Sequence, residues 1–241
     1  MENGIDYVYV IFAGAALLLS LWASSAVKTR FAKYNRVPTK RGVTGAQAAA
    51  FLLRKNGIMD VKIQHIKGNL TDNYNPTNKV LSLSDATYAS SSIAAVGVAA
   101  HETGHAIQHH IGYFPLNFRR HLVPVANLGS QLGPVLALAG LGLGYSGYAV
   151  QNQALFSLLA NIGLLLFAGS VLFYLVTLPV EFDASRRALK ILQSAGVFVD
   201  KDEVSCARKV LWAAAMTYVA SALTAIGSFL RLFLLSRRRQ R

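Results

Sequence analysis

Apolar positions gather in long runs rather than in short alternations. Residues 7–26 form one such run, and about 20 apolar residues in a helix cross roughly 30 Å of hydrocarbon. Two more cover residues 122–144 and 154–180, joined by an uncharged connection at 145–153, so they read as a hairpin that crosses out and back. A last helix is expected from Lys201, behind an Asp200–Glu203 capping box, with its apolar character persisting to Leu235. Between the first two runs the pattern changes. Thr44 caps a short helix over residues 44–56, with Ala46, Ala49, Ala50 and Leu53 on one stripe and Gly57 as its stop. Residues 61–66 read as a strand, residues 72–76 (DNYNP) as a turn, and residues 78–84 as a second strand. Ile93 to Ala100 then opens a helix that carries His101-Glu102-Thr103-Gly104-His105 and ends near Gly112 or Pro115.

Composition agrees with this pattern. Hydrophobic residues make up 53% of the 241 positions and charged ones 15%, which excludes an ordinary soluble domain and points to a membrane protein. The net charge of +13 does not call for nucleic acid, because the basic residues flank the apolar runs, where they attract anionic headgroups and orient the chain. Lys28, Arg30, Lys33, Arg36, Lys40 and Arg41 follow the first run with no acid among them, which places that side in the cytoplasm and the amino terminus outside. Glu2 and Asp6, with no basic residue before the run, make it an uncleaved anchor rather than a signal peptide. Arg119 and Arg120 mark the cytoplasmic start of the hairpin. The tail at Arg237, Arg238, Arg239 and Arg241 conflicts with a fourth crossing, so either the last run crosses against the rule or part of it packs into the cytoplasmic unit or lies re-entrant, leaving the tail inside. The lone Cys206 permits no intrachain disulfide.

On a helix, His101 and His105 share a face and can hold one metal ion, while Glu102 is offset to reach a water molecule beside it. Imidazole suits zinc, which lowers the pKa of water from 15.7 to about 7; a carboxylate can then move the proton. Gly104 keeps this helix slim where a side chain would crowd a substrate. His109 lies eight residues beyond His101, roughly 12 Å along the axis, and cannot join the same ion; Ile111 stands where a histidine would complete the longer HExxHxxGxxH pattern. A third ligand must come from elsewhere, and His65, His109, His110 and His121 are expected to be surface or interfacial groups. Glu181, after the third run and just past Pro179 in a helix's first turn, is the best carboxylate available. Asp183 is its rival, or else a partner of an imidazole or arginine behind the ligands. Val80, Leu81 and Ser82 form a strand whose edge could hold a peptide substrate. Tyr74, Tyr218 and Arg186 are candidate donors to an oxyanion.

The DNYNP turn, the KVLSLS strand, VGVAAHETGHAIQ, LPVEFDASRRAL and VLWAAAMTYVASAL together resemble the YugP-type neutral zinc metallopeptidases of bacterial membranes, over nearly the whole chain. The order HExxH, two crossings, then Glu is similar to the HtpX heat-shock and CAAX prenyl proteases of the gluzincin class. This resemblance implies Zn2+ held by His101, His105 and Glu181, with Glu102 as general base. It departs at Ser185, where those relatives carry an orienting aspartate, so Asp183, Ser185 and Arg186 become the candidates behind the ligands. The edge-strand asparagine of those relatives has no clear counterpart.

The expected fold is mainly α: multi-pass membrane helices with a cytoplasmic zincin-like metallopeptidase unit that contains a small β-sheet. Its parts are an anchor (1–27), a first metallopeptidase segment (28–121), the hairpin (122–180), a second metallopeptidase segment (181–209), and a C-terminal helix with a basic tail (210–241). The expected activity is that of a membrane zinc endopeptidase in a bacterial plasma membrane, acting from the cytoplasmic side on peptide or membrane-protein substrates. A non-catalytic zinc-binding scaffold and an intramembrane protease are the alternatives.

Overall fold

The computed structural model describes residues 2–142 and 152–239. In chain order the elements are α1 (Glu2–Tyr34), α2 (Gly45–Lys55), β1 (Lys62–Ile66), β2 (Asn73–Asn75), β3 (Val80–Ser84), α3 (Asp85–Tyr88), α4 (Ile93–His110), α5 (Phe114–Gly142), α6 (Gln153–Ser194) and α7 (Lys201–Arg239). The protein is therefore mainly α with one small sheet. Four of its helices, α1, α5, α6 and α7, are long and apolar enough to cross a membrane.

The chain divides into two compact units. The first comprises Met1–Leu21, Phe118–Thr177 and Tyr218–Arg241. In it α5 and α6 pack backbone to backbone: a Cβ on Gly163 would lie 2.4 Å from Ala137 N and 2.7 Å from Gly133 O, so no side chain fits there, as close helix contact in membranes requires. Gly129, Gly133 and Gly140 meet α6 in the same way. Gly142 faces open space, and Gly144 lies outside the described residues. The distal half of α7 runs antiparallel to α1, with Phe12 against Gly227 and Arg231 Cζ 4.4 Å from the Tyr9 ring centroid.

The second unit comprises Trp22–Asn117 and Leu178–Thr217. Its central element is α4, whose alanines let neighbours approach from several sides; Ala94, Ala95, Ala99, Ala100 and Ala106 are all buried. Leu52, Ile93, Val96, Ala188, Leu192, Phe198 and Leu211 form one core cluster, and Leu53, Leu81, Leu83, Ala99 and Ile107 form another against the sheet. Both capping expectations hold. Thr44 and Gln47 exchange bonds at the start of α2. At the start of α7, Glu203 N donates to Asp200 Oδ1 at 2.8 Å, and the buried Glu203 carboxylate accepts from Val199 N at 2.7 Å and Lys40 N at 2.8 Å.

Three expectations are corrected. Pro179 does not start a helix: it lies inside the 42-residue α6, so the third apolar run and the segment bearing Glu181 belong to one helix. Proline is tolerated inside long membrane helices when neighbouring groups satisfy the backbone it frees. Asn73, Tyr74 and Asn75 form β2 rather than a turn, because the Tyr74 ring packs against the core cluster beneath the sheet. The turn follows instead, with Thr77 N donating to Asn75 Oδ1 at 2.9 Å and Lys79 at φ 55°. Finally, the sheet order is β1-β3-β2, so β3 is central. Val80 pairs with Lys62 and Asn75, Leu81 with Ile63 and Tyr74, and Ser82 with Gln64 and Asn73. None of these three residues offers a free edge to a peptide.

Candidate metal centre

Ser92 caps α4, its Oγ accepting from Ala95 N at 3.1 Å, and the helix runs without a break to His110 before Gly112 turns the chain at φ 66°. His101 and His105 therefore lie one turn apart, with ring centroids 4.7 Å from each other and planes at 84°. Where α6 crosses this turn, a Cβ on Gly104 would fall 2.7 Å from Ala184 O. Gly104 thus makes room for a helix backbone, not for a substrate. That close approach delivers Glu181, which is buried. Its Oε2 is 3.2 Å from His101 Nε2 and 3.6 Å from His105 Nε2.

These three residues offer ligand atoms that all lie within 4.8 Å of one another, the one such group among the described residues. A tetrahedral zinc ion with bonds of about 2.0–2.1 Å holds its ligand atoms roughly 3.3 Å apart. The carboxylate oxygen stands near that spacing from both imidazole nitrogens, at 3.2 and 3.6 Å, and two imidazoles with a carboxylate match zinc's preferred donors. Three protein donors also leave a fourth position open, as in catalytic rather than structural sites.

The far side of each imidazole is held by a polar group. His101 Nδ1 is 3.1 Å from Ser185 Oγ. His105 Nδ1 is 3.0 Å from Gln108 Oε1, and the Gln108 amide nitrogen donates to Val180 O and to Asp183 Oδ2, both at 2.9 Å. Because two acceptors fix which end of the amide is nitrogen, Gln108 Oε1 must accept from His105 Nδ1–H. In the neutral ring the lone pair of His105 then sits on Nε2, whereas in the imidazolium that nitrogen carries the proton that faces Glu181. Asp183 does not bond an imidazole directly; it accepts from Gln108 and from Arg187 Nε at 2.5 Å. Sequence reading missed Gln108. The signal was a polar side chain three residues past His105, on the face that meets α6, and it is fully buried.

Glu102 is also buried and has no hydrogen-bond partner in the protein among the described residues. Burial pushes its carboxyl above the usual carboxylate range, against the opposing charge of His101 and His105. Burial works to lower His105, but the hydrogen bond to Glu181 and the Glu181 charge outweigh it and hold the imidazolium above its ordinary value.

Arg186 is exposed. Tyr74 OH is 2.9 Å from His109 Nδ1, one turn beyond His105. His65 pairs with Asp85 at the surface, and His110 and His121 are exposed.

Comparison with known proteins agrees with this chemistry. Residues 9–237 match the family model described as "Putative neutral zinc metallopeptidase". Among curated proteins, the chain is 42% identical over 224 residues to the "Putative membrane protease YugP" of Bacillus subtilis (strain 168), covering 93% of this chain and 94% of that one. No solved structure matches the chain. With nearly its full length matched and a donor set suited to zinc at its centre, the chain belongs to the neutral zinc metallopeptidase family.

Proposed function

We propose that the protein is an integral membrane zinc endopeptidase that cleaves membrane or membrane-proximal proteins. The observation that carries this reading is the convergence of His101, His105 and Glu181 beside the buried carboxyl of Glu102. A zinc ion bound there supplies Lewis acidity for the scissile carbonyl and for the attacking water. Glu102 accepts the proton that the water loses as it adds to the carbonyl carbon. The same carboxyl then hands that proton to the amide nitrogen as the C–N bond breaks. Its raised pKa suits both halves of the transfer, and with no hydrogen bond to it among the described residues its oxygens are available to the water. Ser185 and Gln108 hold the two imidazoles with Nε2 forward.

The outer edge of β2 replaces Val80–Ser82 as the place for an extended peptide. It pairs with no strand among the described residues, and Tyr74 joins it to α4 through His109. Backbone pairing along such an edge gives affinity with little sequence demand. The basic residues at the end of α1 and just beyond it support a cytoplasmic position for this unit in a bacterial plasma membrane. A structural zinc site is normally closed by four protein ligands, so three donors favour catalysis over a scaffold. An intramembrane protease is disfavoured because α4 is not among the helices apolar enough to span.

The test is to incubate wild-type and Glu102→Gln protein, purified in detergent, with an unstructured peptide library and to read new termini by mass spectrometry. Cleavage by wild type alone, with equal zinc in both, is expected. Equal cleavage by Glu102→Gln would remove Glu102 as the base.

A further inference from the structure

On α1 and α7 within the second unit, aromatic and cationic groups are layered in an order that the peptidase reading does not use. The Trp22 ring stands edge-on to Trp212, with centroids 6.2 Å apart and planes at 79°. Arg30 Cζ lies 5.4 Å from the Trp212 ring centroid, and Arg30 Nη1 donates to Lys209 O at 3.1 Å. Trp22 and Trp212 remain 47% and 45% exposed, and Lys28, Lys33, Arg208 and Lys209 are exposed around them.

Two half-exposed indoles are costly against water but at home where hydrocarbon meets headgroups. Trp22 lies in the last turn of the apolar run, and Arg30 is eight residues further toward the basic segment, about 12 Å along the axis. The nearest acids on the same helices are Asp6, five turns or more before these cations on α1, and Glu203 in the first turn of α7; the sequence holds no Asp or Glu between Asp6 and Asp60, and none after Glu203. The Arg30 guanidinium is held in place by the ring and by one carbonyl, which leaves further N–H groups to an outside acceptor.

We propose that Trp22, Arg30, Lys209 and Trp212 form a binding site for one anionic phospholipid. Its phosphodiester is bound by Arg30 and the Lys209 ammonium, and its glycerol and upper acyl carbons lie against the exposed indole faces. Charge complementarity selects the lipid: a zwitterionic headgroup brings its own cation into a patch that has no carboxylate to meet it.

Native mass spectrometry tests this with full-length protein in detergent, titrated with phosphatidylglycerol or phosphatidylcholine. The variants are Arg30→Gln/Lys209→Gln and a charge-matched control, Lys62→Gln/Lys67→Gln, on and beside β1. Wild type and the control should retain phosphatidylglycerol over phosphatidylcholine, and the site variant should bind it about tenfold more weakly. Inorganic phosphate and glycerol phosphate should not displace the lipid. Equal loss in both variants would mean diffuse attraction, and displacement by inorganic phosphate would mean a simple anion site; either overturns the proposal. If Arg30→Gln/Lys209→Gln fails to fold, Lys209→Gln alone replaces it, with weakening of about threefold expected and unchanged binding as the contrary result.

Discussion

Gln108 accepts a hydrogen bond from His105 at 3.0 Å while its own amide nitrogen is held by Val180 O and Asp183. One carboxamide thus ties the tautomer of a candidate ligand on α4 to the helix that carries Glu181. Gln108→Leu keeps the volume but leaves buried His105 Nδ1 without its acceptor, at about 1–3 kcal/mol, and removes one donor each from Val180 O and from Asp183, which keeps Arg187. We expect a marked fall in thermal stability and zinc affinity weaker by about 10–100-fold, measured by chelator competition. Gln108→Glu retains the acceptor for His105 and should recover zinc affinity better than stability.

Gly104 sits under the Ala184 carbonyl, with only 2.7 Å available to a Cβ. Gly104→Ala improves intrinsic helix propensity by about 1 kcal/mol, yet it should destabilise the protein by about 1–3 kcal/mol through overpacking. It should also lower zinc occupancy by moving Glu181 off the imidazoles. Thermal unfolding with and without zinc checks both effects, and a stabilised variant would show that the two helices are not in firm contact.

Much of this arrangement is legible in the chain, for reasons specific to each part. The pairing of His101 with His105 follows from helical period alone, and the capping boxes at Thr44 and Asp200 rest on local hydrogen bonds, so both could be read without tertiary knowledge. Glu181 was reachable by elimination, since acids are scarce. Strand order was not legible: β1 pairs parallel with β3 across an intervening strand, and no local pattern reveals that. The unbroken course of α6 through Pro179 was equally hidden, because local rules stop a helix near proline whereas the packed helix continues. Gln108 escaped because a glutamine's role depends on what it touches.

Protons and metal compete at His105. In the metal-free protein its pKa is raised by Glu181, so this contact contributes stability that is fully present below the unfolded value near 6.5. That stability is lost as pH rises through the higher folded value. Metal-free protein should therefore lose stability from pH 6 to pH 8, while zinc affinity rises over the same interval because fewer protons must be displaced. Thermal unfolding in chelator and zinc titration at each pH read the two trends, and parallel trends would contradict the coupling.

Within the first unit the distal half of α7 lies antiparallel to α1, Arg231 stacking on Tyr9. A fourth crossing then brings the basic tail to the side of the amino terminus, against the usual charge rule. In a Cys206→Ser background, cysteines at Glu2 and Arg237 should react with an impermeant maleimide in intact cells, and cysteines at Arg36 and His110 only after permeabilisation. Labelling of position 237 only after permeabilisation would rule out the fourth crossing.

The zinc content of purified wild-type, Glu102→Gln and Glu181→Ala proteins, measured by elemental analysis, tests the metal centre most directly. The account predicts about one zinc per chain in the first two and less than about a tenth of that in the third, since two imidazoles alone hold zinc weakly. Full zinc occupancy in Glu181→Ala would contradict it.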